Sequence, residues 1–210
     1  MPEVDAPRFR GVIHQGAAVV AGAAGVALLG ATGWRWPVAV YVASLVVMLG
    51  TSACFHRGTW SARAQAWWQR ADHAAIFVAI AGGYTPLCAL GMAPGPGRTL
   101  LAVVWGGAAL GVIRALAWPH APRAVVAGLY VALGWALVLA LPAVARGTGV
   151  PLLAIILAGG AADTVGAAIY ARRWPDPWPR TFGYHELFHA LTVIGATAHF
   201  GVVAALARTA

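Results

Sequence analysis

The sequence contains few charged residues and no lysine. Only 10% of its 210 residues are charged and 60% are hydrophobic, whereas a soluble domain carries about 25% charged residues. This balance excludes a disordered chain and argues against a soluble domain. All 14 cationic residues are arginines, which excludes a retinal Schiff base and a lysine nucleophile because both need a lysine amine. No compact basic patch with interleaved aromatics accompanies the net charge of +8, which argues against a nucleic-acid-binding protein.

Cysteine is also scarce, since the chain has only Cys54 and Cys88. This number excludes a disulfide-rich secreted domain. The two residues fall near opposite ends of neighbouring apolar segments, so we expect buried free thiols and no disulfide between them.

What the sequence has in abundance is long apolar segments. A membrane-spanning helix needs roughly 20 apolar residues, and seven segments of about this length are present. They cover about 16–34, 37–56, 72–92, 99–117, 124–144, 150–171 and 183–207. We therefore predict an all-α integral membrane protein with seven transmembrane helices in a single domain, 1–210, that begins with a short polar segment, 1–15. No cleavable signal peptide is recognised, and the first segment would act as an uncleaved anchor.

The arginines predict the orientation, because loops with more positive charge stay in the cytoplasm. Ten arginines fall on the side of the N-terminus, and four fall on the other side: Arg35, Arg98, Arg146 and Arg208. We expect a cytoplasmic N-terminus and an external C-terminus.

Three segments carry polar residues at their predicted cytoplasmic ends. Ionisable side chains within a membrane are costly and are functional candidates by default. The polar residues at these three ends are Ser52 and His56 in the second segment, Asp72 and His73 in the third, and His185, Glu186 and His189 in the seventh. Because the orientation came from the arginines alone, the common depth of these residues is an independent indication of a site.

Their spacing favours a metal site. His185 and His189 are four residues apart and share one face of a helix, and His56 supplies a third imidazole. Three histidines with one open position form a typical catalytic zinc shell. Asp72 would bind the metal-activated water or act as general base, and Ser52 would hydrogen-bond to the substrate or to Asp72. Iron, cobalt or nickel would also suit these ligands, and His73 is expected to support the site without binding the metal.

Other interpretations of these residues remain open. They could form a hydrogen-bonded network that ties three helices together. The sequence HELFH also matches the zinc-protease pattern HExxH, in which the glutamate is the general base. An intramembrane metalloprotease would need an acidic ligand from another helix, and Asp163 is the one left over. If that reading is wrong, Glu186 has a supporting role.

Four further polar residues lie outside this set. We expect His199 to be a hydrogen-bonded core histidine, since it lies roughly 15 Å along the helix from His189. Asp163 and Arg114 either pair with each other or line a polar cavity. His14 lies at a helix end and is expected at the membrane interface.

The motifs together resemble the haemolysin III group, the bacterial branch of the progestin and adipoQ receptor family. The resemblance extends from about Arg8 to Phe200. It rests on the segments TSACFH (51–56), ADHAAIF (71–77), GYTP (83–86) and GYHELFH (183–189), with His199 and Phe200 following.

This resemblance implies seven helices, a cytoplasmic N-terminus and one zinc near the inner face of a bacterial plasma membrane. The zinc ligands would be His56, His185 and His189, with Asp72 holding the bound water and Ser52 beside it. The wider group includes alkaline ceramidases, and its eukaryotic receptor members are linked to ceramide hydrolysis. Asp163 departs from the family pattern, in which an aromatic or apolar residue is expected.

The sequence thus predicts a zinc-dependent hydrolase that cleaves an amide or ester bond of a membrane lipid. The alternative is a non-catalytic sensing or membrane-homeostasis protein in which the zinc is structural. A cytolytic haemolysin is the least favoured reading, because an integral membrane protein is a poor candidate for a secreted toxin.

Overall fold

The computed structural model describes residues 7–209, and these residues are almost entirely helical. The helices are α1 (Val12–Ala31), α2 (Trp36–Arg57), α3 (Ala62–Leu90), α4 (Pro94–Ala117), α5 (Arg123–Gly134), α6 (Leu141–Arg172) and α7 (Tyr184–Thr209). A 3₁₀ segment, Trp135–Ala140, joins α5 to α6. The polar residues 1–6 of the expected N-terminal segment lie outside the described part of the chain.

Local signals explain where several helices begin. Prolines stand in the first turn of α2 and of α4, where the missing N–H costs no helical hydrogen bond. The Ser61 hydroxyl caps α3 by accepting from the Ala64 N–H. Ahead of α7, Asp176 accepts from the Tyr184 N–H and Glu186 accepts from the Gly183 N–H.

Among the described residues, six helical stretches are long and apolar enough to cross a membrane. One of them, Arg123–Arg172, is 50 residues long and would measure roughly 75 Å if straight. It is not straight, because Gly149 has φ 75° and ψ 163° and interrupts the helix. The Trp135 indole N–H donates to the Thr164 hydroxyl at 2.9 Å, so the chain reverses direction between them. The predicted boundary between the fifth and sixth segments, 144–150, falls at this reversal.

The third predicted segment begins too late. The α3 helix starts at Ala62, ten residues before Asp72, so Asp72 and His73 lie in the interior of a helix instead of at its end. The polar first turns of α3 lowered the hydropathy of this stretch and hid its helical character. The helix also continues through Pro86.

Two apolar clusters hold the bundle together. One joins α3, α4, α5, α6 and α7 around Phe77, Tyr84 and Val104. The other joins α1, α2, α3 and α7 around Val38, Tyr41 and Leu49. Both cysteines are free, as expected, but Cys54 is exposed and only Cys88 is buried. The space between the two clusters contains the polar residues described next.

Candidate metal centre

Three histidines from two helices meet at one end of the bundle. His56 lies in the last turn of α2, and His185 and His189 lie in the first two turns of α7. One ligand nitrogen from each histidine lies within 4.8 Å of the other two, and the Nε2 atoms of His56 and His185 are 3.2 Å apart. We call these three residues the histidine cluster. The predicted metal ligands are therefore brought together.

The donor set of this cluster suits a metal ion. Imidazole nitrogens are favoured ligands of zinc and of several other first-row transition metals. His189 is 2% exposed, and its buried Nδ1 has no hydrogen-bond partner among the described residues. A buried polar atom without a partner is costly, and a metal ion shared with the neighbouring imidazoles would use one of the two ring nitrogens. The cluster could hold a metal ion, whose identity the residues leave open.

The second predicted pair, Ser52 and Asp72, lies beside the cluster. Ser52 is one turn before His56 on α2, and Asp72 faces it from α3. Both are buried, and the Ser52 hydroxyl approaches the Asp72 carboxyl. A carboxylate only accepts hydrogen bonds, so the Ser52 hydroxyl is the donor when Asp72 is ionised.

His14 was expected at the membrane interface, and that expectation is wrong. This residue is 3% exposed, its Nδ1 lies 2.9 Å from the Ser52 hydroxyl, and its ring stacks on His189 with the centroids 3.7 Å apart. If the Ser52 proton is directed to Asp72, His14 must donate its Nδ1–H to Ser52. The residue therefore extends the polar network to α1. The signal that could have identified it is its depth, since it begins the first span on the same side as His56.

The segment before α1 covers this end of the bundle. We call residues 8–11 the strap. The backbone N–H groups of Arg8 and Phe9 donate to the carbonyls of Arg180 and Thr181, and Gly11 adopts φ 76°. A Cβ atom at Gly11 would lie 2.7 Å from the Cβ of His56. Only glycine combines this φ with so close an approach, so the strap packs directly on a candidate metal ligand.

An ion pair also fixes the strap to α7. The Arg10 Nε donates to Glu186 Oε1 at 2.8 Å, and the glutamate is completely buried. Its other oxygen accepts from the Gly183 N–H. Glu186 is thus engaged in holding Arg10 and the start of α7, which argues against the role of general base that the HExxH pattern would assign to it.

A cavity of about 700 Å³ runs from the histidine cluster along the bundle. The five predicted site residues all line it, as does His14. At the end near the cluster its wall includes Arg123, which donates to the Tyr184 hydroxyl at 2.9 Å. Farther along, the wall is largely apolar and includes Leu87, Val202 and Leu206. A volume of this size is in the range of ligand-binding sites.

Of the remaining polar residues, Asp163, His199 and His73 line the cavity, and Arg114 does not. Asp163 and His199 line the cavity, and the expected hydrogen bond of His199 is confirmed, to the Ile156 carbonyl at 3.4 Å. Arg114 does not pair with Asp163 and instead lies over the Phe77 ring. His73 lines the cavity but is not part of the histidine cluster.

Comparisons with known proteins find a matching family and similar bacterial proteins. The model of a family described as "Haemolysin-III related" matches residues 3–200. The chain is 32% identical over 133 residues to the "Hemolysin-3 homolog" of Bacillus subtilis (strain 168), a match that covers 61% of this chain and 58% of that protein. It is 29% identical over 127 residues to the "Hemolysin-3" of Bacillus cereus, with coverage of 60% and 55%. Each match spans little more than half the length of the relative.

Proposed function

The chain belongs to the haemolysin III family and is a multi-pass membrane protein, and from that premise we propose that it is a zinc-dependent hydrolase that cleaves an amide or ester bond of a membrane lipid. One observation carries the proposal. Three imidazoles able to share a metal ion and a buried Asp72–Ser52 pair line the same cavity in the bundle. This arrangement brings a Lewis-acid site and a general base to one ligand-sized space.

In the proposed reaction, His56, His185 and His189 hold the zinc ion. Zinc, when bound, polarises the carbonyl of the substrate and makes water more acidic. The Asp72 carboxylate accepts the proton of the attacking water and later returns it to the leaving amine or alcohol. In this reaction Ser52 directs its proton to Asp72 and is a positioning residue for the carboxylate, and His14 holds Ser52 by donating its Nδ1–H to the hydroxyl.

The shape and lining of the cavity support a lipid substrate. Its wall beyond the histidine cluster is mainly apolar, and burial of an acyl chain there would contribute about 0.8 kcal/mol for each CH₂ group. The Arg123 guanidinium near the cluster would attract anionic or polar headgroup atoms. The scissile carbonyl would then lie at the histidines, and the acyl chain would extend along the bundle.

We further propose that the helices cross the membrane seven times. The reversal at Gly149 lets Arg123–Arg172 cross twice, since the hydrocarbon core is only about 30 Å thick. The arginine distribution supports a cytoplasmic N-terminus, which would place the histidine cluster and the strap near the inner face.

A structural role for the metal is the second candidate. It is favoured by the burial of His189 and Glu186 and by the way the cluster joins α2 to α7. In that case the protein would be non-catalytic and would sense or maintain the state of the membrane.

The first experiment measures metal content and turnover in the same preparations. We expect about one zinc per chain by elemental mass spectrometry in wild type, its loss in the double variant His185→Ala/His189→Ala, and its retention in the control His120→Ala, which changes an exposed histidine outside the cluster. Lipid amides and esters are then tested as substrates. The variant Asp72→Asn should keep its zinc and its melting temperature but lose about 10²- to 10⁴-fold in turnover.

Two results would reject the hydrolase. One is the absence of any transition metal in carefully handled wild type. The other is no turnover in zinc-loaded wild type together with a large loss of stability when the ligands are removed, which would favour the structural role instead.

A further inference from the structure

A second polar region lies deeper in the cavity, and no part of the proposed reaction uses it. Asp163 on α6 lines the cavity, and its carboxylate oxygens pack against Gly195 of α7. Between residues 7 and 209 no side chain or backbone group gives this carboxylate a hydrogen bond or an ion pair. Carboxylates within membrane spans almost always pair with another group. A partner for Asp163 would therefore have to come from a bound ligand.

The histidine beside it presents a second acceptor. His199 packs against Gly159, one turn before Asp163, so the two helices approach each other through reciprocal glycine contacts. The His199 Nε2 is hydrogen bonded to the Ile156 carbonyl. A carbonyl only accepts, so Nε2 carries the proton. The neutral imidazole then has its lone pair on Nδ1, which makes no hydrogen bond with the described residues.

The neighbouring threonine hydroxyls have already donated their protons, so they can only accept further hydrogen bonds. Thr192 lies one turn before Gly195 on the same face of α7, and its proton is donated to the Phe188 carbonyl. The Thr164 proton goes to the Gly160 carbonyl, and the Trp135 indole N–H goes to Thr164. We call Asp163, Thr192 and His199 the acceptor cluster. All three line the cavity, and every nearby donor in the contacts just given is already used.

From this imbalance we infer that the acceptor cluster is a binding subsite for a hydrogen-bond donor, a hydroxyl or amine group, carried along the chain of a lipid. Gly195, which contacts Asp163, follows His189 by six residues, so the subsite lies roughly 9 Å farther along the bundle. A lipid whose carbonyl lies at the histidine cluster would place a mid-chain group there. The inference rests on the proposal that a lipid occupies the cavity, and it restricts that lipid to one with a second polar group.

The subsite is tested by binding, which is measured separately from turnover. Two probes are compared by calorimetry on the metal-loaded protein in lipid nanodiscs. They are stearate and a hydroxystearate whose hydroxyl lies near the middle of the chain. A hydrogen bond to a buried group that otherwise has no partner predicts about tenfold tighter binding of the hydroxylated probe by wild type.

Variants then locate the preference. Asp163→Leu should lose most of the preference, and Asp163→Asn, which keeps one acceptor oxygen, should retain more of it. Thr197→Ala is the matched control, because Thr197 is exposed on the same helix and donates to the Val193 carbonyl. It should behave as wild type.

Equal affinity of wild type for the two probes would overturn the inference, as would a preference that survives unchanged in Asp163→Leu. The outcome is distinguishable from that of the proposed reaction. A hydroxyl preference that depends on Asp163 without any lipid turnover would support the subsite and reject the hydrolase, and turnover without that preference would do the reverse.

Discussion

The histidine cluster and the acceptor cluster share one cavity but are built in opposite ways. Around the histidine cluster, polar groups are connected to one another. His14 is hydrogen bonded to Ser52, the Ser52 hydroxyl approaches the Asp72 carboxyl, and Arg10 is hydrogen bonded to Glu186. Around the acceptor cluster, Asp163 has no hydrogen-bond or ion-pair partner among the described residues, and its carboxylate packs against Gly195.

This difference separates a site that the protein organises from one that a ligand would complete. Connected polar groups hold each other in one geometry, as a metal centre requires. Unpaired acceptors leave a cost that a donor from outside the chain can offset. The comparison predicts that changes to the strap, which packs on the histidine cluster, alter stability and metal content, whereas changes near the acceptor cluster alter the choice of ligand.

The largest effect should come from breaking the ion pair of the strap. Arg10→Met leaves the fully buried Glu186 without its cationic partner, and loss of one member of a buried pair costs about 3 to 5 kcal/mol. We expect a loss of about 3 kcal/mol in the free energy of unfolding, since Glu186 retains the Gly183 N–H. Reversible unfolding in mixed micelles measures it. The double variant Arg10→Met/Glu186→Leu should recover most of the loss, and a single variant as stable as wild type would show that the strap is not anchored here.

A smaller effect should follow from Gly11→Ala. The added methyl group would clash with the Cβ of His56. The backbone at this position is also left-handed, which is unfavourable for any residue with a side chain. We expect a destabilisation of about 1 to 3 kcal/mol and reduced zinc content, because His56 must move. Gly16→Ala is the control, since a Cβ there meets nothing within 4 Å. Normal zinc content in Gly11→Ala would mean that the strap does not position His56.

The smallest effect on stability should come from the acceptor cluster. Gly195→Ala presses a methyl group against the Asp163 carboxylate, and overpacking of this kind costs about 1 kcal/mol or somewhat more. Zinc content should not change, but the preference for the hydroxylated lipid should fall severalfold. Gly201→Ala, with nothing within 4 Å, should leave both properties as in wild type. Loss of zinc in Gly195→Ala would show that the two clusters are coupled, contrary to the comparison.

Much of the molecule could be read from the sequence because membrane helices obey simple local rules. Long apolar segments predict helices, and the helical period places His185 above His189 and Ser52 above His56 on common faces. Arginine counts then put these residues at one depth. The family resemblance came from the same motifs and is confirmed by the match over residues 3–200.

The tertiary structure decided which faces of different helices meet. Periodicity relates residues within a helix but says nothing about rotation against a neighbour, so the stacking of His14 on His189 and the pairing of Arg10 with Glu186 could not be predicted. The reversal at Gly149 was expected only as a gap between apolar segments. The meeting of Asp163 with Gly195 and of His199 with Gly159 depends on two antiparallel helices approaching through small residues, and that contact exists only in the folded bundle.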